Sequence, residues 1–447
     1  MLNSTSKAWR IISRPVLETV LNNHVQHHRV HQPLILHGPR GVGKTTLIVE
    51  RSTLCHTLSF FLSVFHLHHI PFSFSGLMEN WNKGPHLTGY VDFAQPIKEH
   101  HPSHNGSFPW SSWYSCSSPP PTLSILKSNL EKCLESMAIR GIELGQITSH
   151  QIFTTLNKWH GLSHTLRHIL QSSNSGSKIG VLSNKASASV LWDRAVFAFS
   201  ARFNSKDLEG LVGLERNKKG MTAEEMSYMK EAVIALRLAR EVIRVQQQWR
   251  ANAVADMNKT GGFSRSLTSS STDWPYLLLE LLSSASEIDH FQLAVIVSFQ
   301  DLILLLLGII VILSLQPKLV INNIEILRNA ISADDSTACA PNYHDSLIWR
   351  IISLGANEMC LPIIFVTSDS YYSYRAYIDF GFPDIFISRE VKDGLNTFGW
   401  TPNEGRLHMV PDYFSALEWT VVTEVLGTNS RHLFELHALK ESDRCLR

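Results

Sequence analysis

The sequence predicts an α/β fold, a parallel sheet covered by helices and followed by a small helical C-terminal part. Three observations predict it. Short apolar runs suited to buried strands recur at residues 34–36, 319–322 and 363–367. Stretches with apolar residues at helical spacing, at 123–141, 148–170 and 222–250, lie between the first two. A glycine-rich turn joins the first run directly to a helical segment. The chain has 447 residues, 44 % hydrophobic and 18 % charged, long enough for two or three domains. Its net charge of +1 gives no reason to expect a nucleic-acid partner. Six scattered cysteines without a C-x-x-C pair suit free thiols in a reducing compartment, with no disulfide framework and no zinc site.

Residues 1–30 contain no acid before Glu18 and carry Lys7, Arg10 and Arg14. Two readings stand, a weak targeting segment of the mitochondrial kind and a helix over 14–30 ahead of the first strand. His24, His27, His28 and His31 include i,i+4 pairs, yet no H-E-x-x-H spacing occurs, so solvated polar positions are the expectation.

The turn itself reads Gly38-Pro39-Arg40-Gly41-Val42-Gly43-Lys44-Thr45 and fits G-x-x-x-x-G-K-[ST] at every fixed position. Glycines let such a loop curl so that backbone N–H groups point inward at phosphate oxygens. Lys44 is placed to reach the β- and γ-phosphates, and the Thr45 hydroxyl to sit on Mg²⁺. Thr46 begins a helix whose positive end faces the same anion. The pattern predicts ATP and Mg²⁺ as ligands, bound by residues 38–46.

Residues 52–78 break the strand–helix rhythm: they are rich in Phe, Leu, Ser and His, and only Glu79 restores an acidic residue. A second strand is expected over 84–93, ending near Asp92. Residues 100–122 read as a Ser/Pro/Trp loop. A helix follows with Leu126, Leu130, Leu134 and Met137 on one side. Residues 178–183 suggest a strand and 186–202 a helix. Thr222 with Glu225 forms a capping box for a long helix over 222–250, with Met226, Met229, Val233, Leu236, Val242 and Ile243 as its apolar stripe. A mobile loop is expected at 258–273, then an amphipathic helix over 274–289.

Residues 293–315 form a 23-residue apolar run whose one charge is Asp301, long enough to span a bilayer. Removing 293–316 joins helix to strand at the usual spacing, as does removing the stretch at 52–78. Both are therefore read as insertions foreign to the ancestral fold, with a true membrane anchor as the rival. The strand after the run is expected over 317–327.

The order of turn, strand, helices and two further strands resembles the AAA+-like P-loop ATPases, closest to their archaeal-type and signal-transduction branch. The resemblance covers most of residues 14–447 outside the two apolar stretches. It implies a three-layer P-loop NTPase domain over 31–400, with a helical region at 123–250, and a helical C-terminal lid over 401–447. In that family an apolar strand ends in Asp-Glu, the acid pair that holds Mg²⁺ and activates water. Here the strand reads L-V-I-N-N, with Asn322 and Asn323 at those positions. Asparagine can bond a magnesium-bound water but accepts no proton at neutral pH. Asn322 is thus a candidate Mg²⁺ partner beside Thr45. Lys44, Glu325 and Asp369 are the catalytic candidates. Thr367, Ser368 and Asp369 resemble the tip of a sensor strand, and Arg389 ends a last strand at 385–389. Residues 426–433 resemble the family's late L-G-G-x-x-x-x-L stretch, with Thr428 in place of its second glycine.

The expected function is an ATP-binding switch or scaffold, acting on an unidentified protein partner, with weak or absent hydrolysis. The alternatives are an active ATPase that remodels a protein, and a membrane-anchored interaction protein with a vestigial P-loop. Location is left open within the cell, with mitochondrial and membrane-associated options.

Overall fold

The computed structural model describes residues 15–26, 30–38, 43–49, 86–95, 121–159, 161–173, 186–202, 223–259, 273–285, 316–331, 339–358, 360–369, 371–372, 384–386, 389–390, 396–397, 402–410 and 413–428, and the short pieces 432–433, 436–437 and 439–440. The strand expected at 178–183, both apolar stretches, Thr222 and residues 39–42 lie outside them.

Helix α1 (Pro15–Gln26) leads into strand β1 (Leu34–His37), and helix α2 (Lys44–Val49) follows the glycine turn. Strand β2 (His86–Asp92) comes next. Six helices then form one block: α3 (Leu123–Glu143), α4 (Ser149–Asn157), α5 (Leu162–Ser173), α6 (Ala188–Ser200), α7 (Ala223–Lys259) and α8 (Trp274–Ala285). Strand β3 (Gln316–Asn322), a short helix α9 (Ile324–Arg328), helix α10 (Cys339–Glu358) and strands β4 (Ile363–Thr367) and β5 (Asp384–Phe386) complete the sheet domain. A two-stranded antiparallel ribbon of β6 (Arg389–Glu390) and β7 (Asn396–Thr397) precedes α11 (Pro402–Met409) and α12 (Ala416–Leu426).

The sheet has five parallel strands in the order β2-β3-β4-β1-β5. Alternation along each strand sorts its side chains onto two faces. Leu34, Leu36, Val320, Ile364 and Val366 pack with Leu21, Val25, Leu47 and Ile48 of α1 and α2. Ile35, Leu319, Ile321, Ile363 and Phe365 pack into the larger core made with α3 to α10. Helices therefore cover both faces, and these strands are buried on both sides, as a parallel sheet requires.

Local chemistry accounts for the element ends. Thr148 and Gln151 form a capping box on α4, Ser187 caps α6, and Ser415 with Glu418 makes a second capping box on α12. Gly161, at φ 84°, turns the chain between α4 and α5, so the helical region expected over 148–170 is two helices. Helix α7 runs to Lys259, past the expected end at 250. Helix α8, expected to be amphipathic, is buried on nearly every side, with only Ser284 partly exposed. Its one acid, Glu280, meets Arg350 at 3.0 Å, the Trp159 indole N–H at 3.2 Å and Lys158 at 3.6 Å.

Two strand expectations are corrected. The strand expected over 317–327 stops at Asn322, because Asn323 takes a left-handed conformation (φ 56°, ψ 46°) and the chain turns into α9. The strand expected at 385–389 splits: 384–386 joins the sheet beside β1, whereas Arg389 pairs with Thr397 in the separate ribbon. The C-terminal part has its own small core of Met409, Phe414, Trp419, Val422 and Leu433. Gly405 lets α11 sit against the Trp419 ring, where an added Cβ would lie 2.7 Å from it. Among the described residues no helix is long and apolar enough to cross a membrane.

Candidate site at the carboxyl edge of the sheet

The strands end in register. His37 pairs with Thr367 and Phe386, Asp92 with Asn322, and Asn322 with Val366. All five carboxyl ends therefore lie along one edge of the sheet. The chain leaves β1 toward β2 at the far edge and leaves β4 toward β5 on the other side. Connections that diverge from neighbouring strands open a crevice at their carboxyl ends, the usual ligand position in an open parallel sheet.

The two ends of the glycine turn, Gly38 and Gly43, sit at that crevice. Gly38 (φ 150°) leaves β1 and Gly43 (φ 86°) enters α2, both in backbone regions that favour glycine. Pro39, Arg40, Gly41 and Val42 lie outside the described residues. Thr46 lies on α2, with its side chain outside them. Lys44 is buried at 6 % exposure, and its ammonium donates to the Gly38 carbonyl at 2.6 Å. The ammonium thus spans the mouth of the turn. Phosphate oxygens could take over such a bond, since an ammonium has three donors.

Thr45 meets the end of β3. Its hydroxyl and the Asn322 side-chain amide lie 3.4–3.5 Å apart, and the same amide donates to the Tyr90 hydroxyl at 3.0 Å. Burial, and then the Asp92 charge, push the Tyr90 hydroxyl well above its ordinary range, so it stays protonated. The Thr45 hydroxyl and the Asn322 carbonyl are hard oxygen donors that fit Mg²⁺, though neither is charged. Among the described residues no group of three or more His, Cys, Asp or Glu could hold a metal ion. Mg²⁺ at this edge would depend on the nucleotide's own phosphates for most of its charge.

The acids are each engaged. Glu325, at the start of α9, accepts from the Thr367 hydroxyl at 2.8 Å and from the Ser368 N–H at 3.4 Å. It braces the tip of β4. Asp369 accepts the Tyr371 N–H at 2.9 Å and so caps the next turn, while its own N–H donates to the Thr367 hydroxyl. Behind them the Tyr372 hydroxyl bonds His344, whose other ring nitrogen lies 2.8 Å from Asp345. Burial lowers the His344 pKa against the opposing pull of Asp345, and burial also raises that of Tyr372.

The structure thus brings together Lys44, Thr45 and Asn322, and groups Glu325, Thr367, Ser368 and Asp369 at the neighbouring strand end. The sequence reading had no role for Tyr90 or Asp92. Asp92 accepts the Asn323 side-chain N–H at 2.7 Å and the Ala94 N–H at 2.9 Å. An acid closing a strand level with the Asn pair was the available signal. No protein-family model matches the chain, and no curated protein matches it.

Proposed function

We propose that the chain is an AAA+-like P-loop protein that binds ATP with Mg²⁺ through residues 38–46 and hydrolyses it slowly or not at all. It acts as a nucleotide-controlled switch or scaffold for a protein partner. One observation carries this reading: Lys44 and Thr45 follow β1 directly, and Thr45 meets Asn322, a residue 277 positions later, at the carboxyl edge of the same sheet. A glycine-turn motif at a strand-to-helix junction supports phosphate binding far better than the motif alone.

Slow turnover follows from the acids. The two residues at the end of β3 are amides, which take no proton at neutral pH. Glu325 spends its oxygens on Thr367 and Ser368, and Asp369 on capping a turn. Both carboxylates are anchored at the tip of β4, and the residues that end β3 carry no acid. Mg²⁺ bound with the nucleotide would screen its phosphate charge; Lys44 would hold the terminal phosphates, and Thr45 and Asn322 would orient the cation's shell.

The test pairs two measurements on the full chain with Mg-ATP. The expected result is saturable ATP binding with phosphate release below about one turnover per minute, well under the usual 1–10³ s⁻¹ of enzymes. Fast release would favour the remodelling ATPase instead, and no binding would remove the nucleotide reading.

A further inference from the structure

Bonds from four backbone amides shape the turn that follows β4. The Ser368 N–H donates to Glu325, the Asp369 N–H to the Thr367 hydroxyl, and the Tyr371 and Tyr372 N–H groups to Asp369. The sheet register sets Thr367 level with His37, the residue before Gly38, so this turn lies beside the start of the glycine turn. One further bond fastens it to the helix behind. The Tyr372 hydroxyl meets Nε2 of His344 on α10, and both residues are fully buried, at 1 % and 0 % exposure. Among the described residues that hydroxyl makes no other hydrogen bond. Nδ1 of the same ring lies 2.8 Å from Asp345, whose side chain is 46 % exposed.

Donor and acceptor chemistry dictates how this chain of bonds runs. An ionised carboxylate only accepts, so Nδ1 carries the hydrogen toward Asp345. In the neutral ring Nε2 is then bare and accepts the Tyr372 O–H. A proton on Nε2 turns that acceptor into a donor. The Tyr372 O–H is left without an acceptor in a buried place, where an unmade bond is costly. Burial, foremost, and Arg328 on α9 oppose the protonated ring, while Asp345 on α10 favours it. Around Tyr372 stand Glu325 and Arg328 of α9 and Asp369 and Tyr371 of the turn, with Arg328 3.8 Å over the Tyr371 ring.

We propose that His344 is a positioning residue for the end of β4 and a latch that one proton opens, so that mild acid frees the turn after Thr367 and loosens the site beside it. The consequence for ATP rests on the nucleotide reading above; the latch itself does not. An opened turn exposes His344 to water, where a histidine titrates near its ordinary 6.5, and the closed turn holds it lower. Between these values the opened form binds the extra proton. The closed form is therefore lost as pH falls through about 6.5 and regained as it rises.

The experiment compares wild type, His344→Gln and Tyr372→Phe as full chains at pH 7.5 and pH 5.5. Hydrogen exchange at the amides of Ser368, Asp369, Tyr371 and Tyr372 is read as protection factors, which removes the intrinsic pH dependence of exchange. Wild-type protection should fall about threefold to tenfold in acid, tenfold being the ceiling for one proton at one pH unit below 6.5. Glutamine offers an amide oxygen in place of Nε2 and does not titrate, so His344→Gln should change by less than about 1.5-fold. Tyr372→Phe, which lacks only the hydroxyl, should be less protected than wild type at pH 7.5 and should lose less on acidification. Thermal melting checks folding, and if His344→Gln does not fold, Tyr372→Phe decides. Mg-ATP titration at both pH values adds the site: acid should weaken binding more in wild type than in His344→Gln, since ATP's own protonation is common to both. Wild-type protection that stays flat, an equal fall in His344→Gln, or wild-type protection in Tyr372→Phe overturns the proposal. So does a turn that opens while the ATP affinities of wild type and His344→Gln move in parallel. Wild type that binds no ATP at either pH is a failure of the nucleotide reading, and exchange still decides the latch.

Discussion

Lys318 shows what a buried charge does at the scale of one residue. It lies on β3, is 2 % exposed, and burial lowers its pKa from the ordinary 10.5 to about 8. Between these values the unfolded chain binds more protons than the folded one, so stability rises with pH across that window. Below about pH 8 both states are charged and the folded state bears the full desolvation cost. Chemical denaturation of wild type and Lys318→Met at pH 7.5 and pH 10 should therefore give a gap that narrows as pH rises; a gap unchanged with pH would contradict the burial argument. The legibility of the site also divides at this scale. Lys44 and Thr45 were readable because eight consecutive residues carry the pattern. The bond from Asn323 to Asp92 spans 231 positions. Strand alternation tells which face a residue takes and nothing about which side chain it meets across the edge.

Elements meet closely at a few points, and Gly355 on α10 is one. A Cβ there would lie 2.2 Å from the His31 carbonyl, in the segment that leads into β1. Alanine in a helix interior is ordinarily favoured over glycine by about 1 kcal/mol. Overpacking against a backbone atom that cannot swing aside costs about 1–3 kcal/mol, which wins at the upper end of that range. Gly355→Ala should thus lower unfolding stability by about 1–2 kcal/mol in denaturant titration, and a stabilised variant would show that the helix does not pack where the structure has it. Helical spacing was readable for α3, whose Leu126, Leu130, Leu134 and Met137 are all buried as the periodicity requires. The strand end at Asn322 was not. Beyond the doubled asparagine the run N-I-E-I resumes β-like alternation, and a left-handed asparagine breaks the strand without any glycine or proline to announce it. Helix α10 carries a Pro and a Gly inside its length, which hid it as well.

For the whole molecule, strand order turns a local motif into a site. The turn after β1, the amides at the end of β3 and the hydroxyl at the end of β4 come from separate stretches of the chain, Thr45 and Asn322 being 277 positions apart. They share an edge because the sheet is parallel and its ends are in register. A ligand that binds the folded state alone stabilises it by mass action, about 2.7 kcal/mol at a hundred times its dissociation constant. Mg-ATP should therefore raise the unfolding temperature of the full chain, whereas AMP, lacking the β- and γ-phosphates, should raise it much less. Equal shifts with ATP and AMP would point to a site elsewhere. The α/β class and its helix-covered parallel sheet were legible from the rhythm of apolar runs. The spatial order of the strands was not, since it is decided by crossovers through long helical connections.

The most direct test is a calorimetric titration of Mg-ATP into wild type and into Lys44→Ala. Truncating a charged hydrogen-bond partner of a bound anion costs about 2–5 kcal/mol. Saturable binding by the wild type at one site per chain, weakened about 100-fold or more in Lys44→Ala, is the predicted result. Equal affinity of the two proteins, or no binding by the wild type, would contradict it.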